Sequence, residues 1–193
     1  MNPLLGKYQD YMRLNGCTAS YVLKNGISIS VPFLEENFLH LLGMHKLVDI
    51  QIVQFWLDHN NRTVKLRDVI RAIKNESLTD SMVRSSVHFP NMADRYENFS
   101  YDSLTTLSYT DAIIDFDSML AHSQIKSAYL LFEQKGSGYN HLGIAVDPVS
   151  GTRYVETFFY EATDQYLKGQ TIEPIMEYTI YDQNHIPIIT DKF

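Results

Sequence analysis

Apolar residues three and four apart dominate the first half of the chain, and period-two runs dominate the second. Residues 3–15 carry Leu4, Leu5, Tyr8, Tyr11, Met12 and Leu14, which predicts a short amphipathic helix that Gly16 would stop. Residues 21–24 and 27–31 flank Asn25-Gly26, a hairpin signal because both turn positions favour positive φ, and Pro32 ends the second strand. Residues 35–45 read as one helix, with Phe38, Leu41, Leu42 and His45 three and four apart. Further helices are expected over 49–59, ended by Asn60-Asn61, and over 66–74, where Val69, Ile70 and Ile73 form the apolar face and Thr63 leads in. A short helix at 80–85 and a helical turn at 101–107 complete this part.

From residue 111 the pattern becomes strand-like, with runs at 112–116, 128–134, 141–146, 154–160 and 175–181. Turn chemistry separates them, at Gly136-Ser137-Gly138 and at Asp147-Pro148-Val149-Ser150-Gly151. Three consecutive strands joined by tight loops imply an antiparallel meander, and 161–167 reads as a helical turn. The expected class is α+β, with N-terminal helices packed on a C-terminal antiparallel sheet of about four to five strands. One domain is expected over 1–193, with 1–110 mainly helical around an early hairpin and 111–193 mainly sheet.

Composition narrows the function classes. With 193 residues, 45% of them hydrophobic and 20% charged, the chain can bury a core and is not compositionally disordered. A formal net charge of -7 argues against a general electrostatic grip on nucleic acid and leaves room only for a local basic patch. Cys17 is the single cysteine, so there is no internal disulfide and no cysteine-based zinc cluster. No run approaches the ~20 apolar residues of a membrane span and no signal-peptide pattern is present, so a soluble cytoplasmic protein is expected.

The candidate chemistry starts at His40, set between Leu39 and Leu41 on an apolar segment. Such a histidine is either hydrogen-bonded within the core or presented to a site. On an ideal helix His45 lies about 500° further round and turns away from His40, so the two do not form a metal-binding i, i+4 pair. No His-Glu-x-x-His, Gly-x-Ser-x-Gly, Walker loop or dinucleotide glycine pattern occurs, and neither metal nor cofactor is expected. A ribonuclease site that works without metal needs a base for the ribose 2′-hydroxyl, a cation for the phosphorane and an acid for the leaving 5′-oxygen. Histidine suits the first and third tasks, and Arg or Lys the second. The chain offers His40, then Lys135 and His141 around the second turn, then Tyr154, Thr157 and Tyr160 on one strand. Strict alternation would put Val155, Thr157 and Phe159 on one face, so Thr157 is a polar exception there as His40 is on its helix.

The segment Phe38-Leu39-His40-Leu41-Leu42-Gly43 resembles the helix motif of phage Barnase–EndoU–colicin–RelE-like nuclease domains. Lys126–Phe132 looks like a sheet strand of that family. Tyr154-Val155-Glu156-Thr157-Phe158-Phe159, with Tyr166 and Gln170 after it, looks like its hydroxyl-bearing strand and trailing turn. The resemblance spans roughly residues 20–180. It implies a fold like that of small metal-independent RNases, with His40 as the helix histidine and Thr157 as the strand hydroxyl. The cationic partner would be Lys46, with Arg84 or Lys135 as substitutes.

Three readings follow. The first is an RNA-cleaving, toxin-like or phage-associated endoribonuclease with catalytic His40, Thr157, Lys46, Lys135 and His141. In it Arg84, Tyr154 and Tyr160 hold substrate by phosphate contacts and base stacking. The second is a non-catalytic protein on the same fold whose acidic surface binds a basic protein partner. The third is an ADP-ribosyltransferase-like enzyme in which Glu156 or Glu161 polarises a ribose.

Overall fold

The computed structural model describes residues 2–58, 60, 63–105 and 109–192. Helix α1 (Pro3–Met12) starts with proline at its first position and an Asn2 side chain accepting from the Leu4 amide. Strands β1 (Thr18–Leu23) and β2 (Ser28–Pro32) form the expected hairpin. Its loop is Lys24-Asn25-Gly26, and only Gly26 has positive φ. The amides of Gly26 and Leu23 close it onto Leu23 and Ile27 carbonyls, so this is a three-residue loop in which a single glycine supplies the left-handed position.

The expected helix over 35–45 is interrupted. A 3-10 turn (Glu35–Asn37) leads into α2 (Phe38–Leu41), Gly43 turns left-handed at φ 85°, and a second 3-10 turn (Met44–Lys46) follows. Helices α3 (Gln51–Leu57), α4 (Leu66–Lys74), α5 (Asp80–Ser85), α6 (Ala93–Asn98) and α7 (Tyr101–Thr105) come next. Those over 66–74 and 80–85 match the sequence pattern. The expected ends at His59 and Leu107 lie outside the described residues.

The sheet is larger than expected. Beyond β3 (Asp111–Ile114), β4 (Tyr129–Lys135), β5 (Gly138–Val146), β6 (Arg153–Glu161) and β7 (Thr171–Tyr181), it takes in the early hairpin and β8 (Pro187–Lys192). The ladder runs β2-β1-β7-β3-β4-β5-β6, with β8 also on β7, and every pairing is antiparallel. Its end strands β2 and β6 come together, so the sheet curls almost shut into a barrel. The expectation of four to five C-terminal strands fails for two reasons. β1 pairs with β7 across most of the chain, and β8 is too exposed to carry a buried apolar face.

Two features of the core place the site. Phe38 on α2 packs 5.8 Å from Phe99, and Phe99 packs 5.8 Å from Phe158 on β6. This aromatic chain, with Tyr11 5.5 Å from Phe38, locks the short helix to the strand; such pairs contribute about 0.5–1.5 kcal/mol each beyond their buried area. The second feature is a β-bulge. Gly143 pairs with Thr157 but Ile144 pairs with Val155, which leaves Glu156 as the extra residue. Strict alternation therefore breaks: Val155 joins Phe158 in the main core, and Glu156, Thr157 and Phe159 line the cleft outside it.

Candidate active site

The aromatic chain fixes the backbone of α2 and β6, and the residues beside Phe38 and Phe158 open onto a cleft of about 460 Å³. His40, His45 and Lys46 form one wall, the segment Pro90–Arg95 another, and Glu156–Glu161 with Tyr166 and residues 123–125 the rest. His40 reaches the surface at the cleft with one face of its ring covered, and is not a hydrogen-bonded core residue. Its ring stacks on that of His45 with centroids 4.3 Å apart and planes 22° from parallel. The expectation that His45 turns away from His40 fails because no continuous helix joins them. Gly43 redirects the chain between them. The sequence signal that could have shown this is Gly43 itself, a left-handed stop after an apolar run.

Burial, and then the neighbouring Arg95 cation, hold His40 below the ordinary histidine range, with Glu156 opposing them. Burial drives His45 further, down to about 4, with His40, Arg95 and Lys46 adding to the effect. Arg95 was not among the expected residues. It comes from α6, which packs on β6, and its Nη1 donates to the His40 carbonyl at 3.2 Å. Burial lowers Arg95 to about 10, so it stays a cation at neutral pH. Lys46 donates from Nζ to the Asn91 carbonyl at 2.9 Å, and burial followed by Arg95 lowers its pKa. Among the described residues neither Arg95 nor Lys46 enters an ion pair.

On the strand wall Thr157 is buried beneath the cleft surface, and Glu156 accepts a hydrogen bond from Ser127 Oγ at 2.5 Å. Gly143 lies beneath that bridge. A Cβ there would press into the Ser127 hydroxyl and sit 2.7 Å from Thr157 Cγ2. The cleft thus holds two basic side chains, Lys46 and Arg95, against three carboxylates, Asp94, Glu156 and Glu161.

Of the expected site residues, His40, Lys46, Thr157 and Tyr160 meet in this cleft. His141 does not reach it. It is fully buried, stacked 4.7 Å from Phe159 and tilted against Tyr166 at 5.6 Å, with neither ring nitrogen hydrogen-bonded to any of the described residues. Lys135 ends β4 on the exposed turn toward Gly138 and lines neither this cleft nor the second one. Arg84 sits on α5, held by Asp80 and Glu97 at 2.8 and 2.6 Å. Tyr154 lines a separate groove of about 370 Å³ with Arg153 and Asp147. Among the described residues no three His, Cys, Asp or Glu side chains are grouped to hold a metal ion, and no helix is long and apolar enough to cross a membrane.

Comparison with known families gives a match over residues 4–192 to the phage-Barnase-EndoU-ColicinE5/D-RelE like nuclease4 model. No curated protein and no solved structure matches the chain. The match takes in both walls of the cleft, α2 with His40 and β6 with Thr157, and the chain belongs to this nuclease family.

Proposed function

We propose that the protein is an endoribonuclease that cuts RNA by transesterification at the ribose 2′-hydroxyl, without a metal ion. The observation that carries this reading is the His40 imidazole, held below its ordinary pKa at a cleft that also presents Lys46 and Arg95, neither of which enters an ion pair among the described residues. His40, unprotonated at neutral pH, takes the 2′-hydroxyl proton as the 2′-oxygen attacks phosphorus. Arg95 and Lys46 hold the non-bridging oxygens, whose charge grows in the phosphorane. The Thr157 hydroxyl orients the phosphate. The P–O5′ bond breaks, and Lys46, a better acid for its lowered pKa, protonates the leaving oxygen. The products are a 2′,3′-cyclic phosphate and a 5′-hydroxyl. Nuclease-family membership supports nucleic acid as substrate.

The test is incubation of purified protein with total RNA in EDTA. Fragments ending in cyclic phosphate, lost in His40→Ala with the fold retained, are expected. Intact RNA, or equal cleavage by His40→Ala, overturns the reading.

One observation favours a second reading. With both imidazoles neutral, two cations against three carboxylates leave the cleft one charge negative, which suits a non-catalytic protein that binds a basic partner. Capture of a basic partner that His40→Ala leaves unchanged, by a protein that leaves RNA intact, is the result that selects it.

A further inference from the structure

Four observations meet at His45. Its ring is the one stacked on His40, at 4.3 Å between centroids. Its Nδ1 is buried and hydrogen-bonded to none of the described residues. An unsatisfied buried polar atom costs about 1–3 kcal/mol, so hydrogen bonding does not explain the placement. The turn that delivers it depends on Gly43 at φ 85°, where a Cβ would lie 3.0 Å from Arg95 Cδ and 3.3 Å from Met92 Cβ. Finally, Leu42 before that glycine and Met44 after it are fully buried, so the core holds both ends of the turn.

We propose that His45 is a positioning residue: its ring is the wall that fixes the His40 imidazole at the cleft and shields one face of it from water. The role rests on the reading of His40 as the group that moves the proton. A ring that swings freely loses the near-attack geometry that proton transfer needs, and small misplacements cost up to about 100-fold in rate. The charged groups around the pair are Lys46 on its own turn, Arg95 from α6 and Glu156 from β6. None of them is stacked on the His40 ring, so the flat partner is His45. What it contributes is shape and exclusion of water, which phenylalanine can also supply.

The experiment compares His45→Phe and His45→Ala in the full chain by two readouts. RNA cleavage is one. The other is the NMR titration of the His40 ring, which needs no activity. Expected are His45→Phe within about threefold of the parent and His45→Ala down by about 10–100-fold. In His45→Ala the His40 titration midpoint moves up toward the ordinary histidine value, because its buried face meets water. Should His45→Ala fail to fold, His45→Leu, which fills the space without a flat face, takes its place with the same expected loss. Unchanged cleavage and an unchanged His40 midpoint in the truncated variant overturn the proposal. So does a His45→Phe variant as inactive as His45→Ala, since the nitrogen and not the ring would then matter. A parent protein that leaves RNA intact while His45→Ala still shifts the His40 midpoint sinks the nuclease reading and keeps the stack.

Discussion

The Ser127 hydroxyl reaches the Glu156 carboxylate across strand β5, over the bare backbone of Gly143. The glycine is what lets a side chain from one side of β5 hold a carboxylate on the other. Gly143→Ala should cost about 1–3 kcal/mol, as overpacked sites do, and release Glu156. Ser127→Ala removes the same bridge and leaves the space open, so it should cost only about 1 kcal/mol. Urea unfolding of the two variants checks the order, and equal stability of Gly143→Ala and parent would count against the account.

Arg95 ties the helical wall together by donating to the His40 carbonyl while its charge remains in the cleft. Arg95→Met keeps much of the packing and removes the cation. Cleavage should fall by about 10²-fold or more, and the salt dependence of RNA binding should flatten by about one phosphate contact. Kinetics at two salt concentrations would check both.

The acid limb of the cleavage profile should lie low. Burial and then Arg95 hold His40 beneath 6.5, so the unprotonated base survives at mildly acid pH and is lost only as the pH falls through that lowered value. A pH–rate profile that already declines above pH 6.5 would contradict this.

His141 makes a separate prediction about stability. Burial alone drives it down to about 3, so it stays neutral in the folded chain while an unfolded chain protonates it near 6.5. Its contribution is complete above pH 6.5 and is lost as the pH falls from there toward 3, a loss on the order of a few kcal/mol. His141→Phe, among Phe132, Phe159 and Tyr166, removes the proton acceptor and keeps a ring. Thermal melts should show the variant gaining on the parent from pH 7 to pH 4.5, with cleavage at neutral pH changed little.

Lys135 and Arg84 serve as controls. Lys135→Ala lies on an exposed turn and should leave cleavage within about twofold. Arg84→Ala breaks two exposed ion pairs worth about 0–1 kcal/mol each and should touch stability slightly and cleavage not at all. A tenfold loss of activity in either would enlarge the site.

Much of the cleft was legible where one residue broke a local pattern. His40 stands out on an apolar segment, and Thr157 stands out on an apolar strand face. Helix α4 was legible because Val69, Ile70 and Ile73 keep a helical period through to its end. What escaped was set by distant contacts. An ideal helix drawn through Gly43 turns His45 away from His40, whereas the left-handed glycine brings it back. Arg95 has no distinguishing neighbours in sequence, and its place depends on α6 docking against β6. Strict alternation puts Val155 on the wrong face because a bulge is a mismatch between two strands and is invisible in one of them. The early hairpin is written in its own residues, but its pairing with β7 joins strands from opposite ends of the chain, which no local pattern encodes.

Phe38 and Phe158, locked together through Phe99, join parts of the chain more than a hundred positions apart. Neither the stretch before the Asp147–Gly151 turn nor the stretch after it owns a complete cleft. Two fragments divided there should each be inert, and mixing them should restore cleavage only if the aromatic chain reforms. The protein is thereby suited to complementation, with catalysis as the report that its two parts have met.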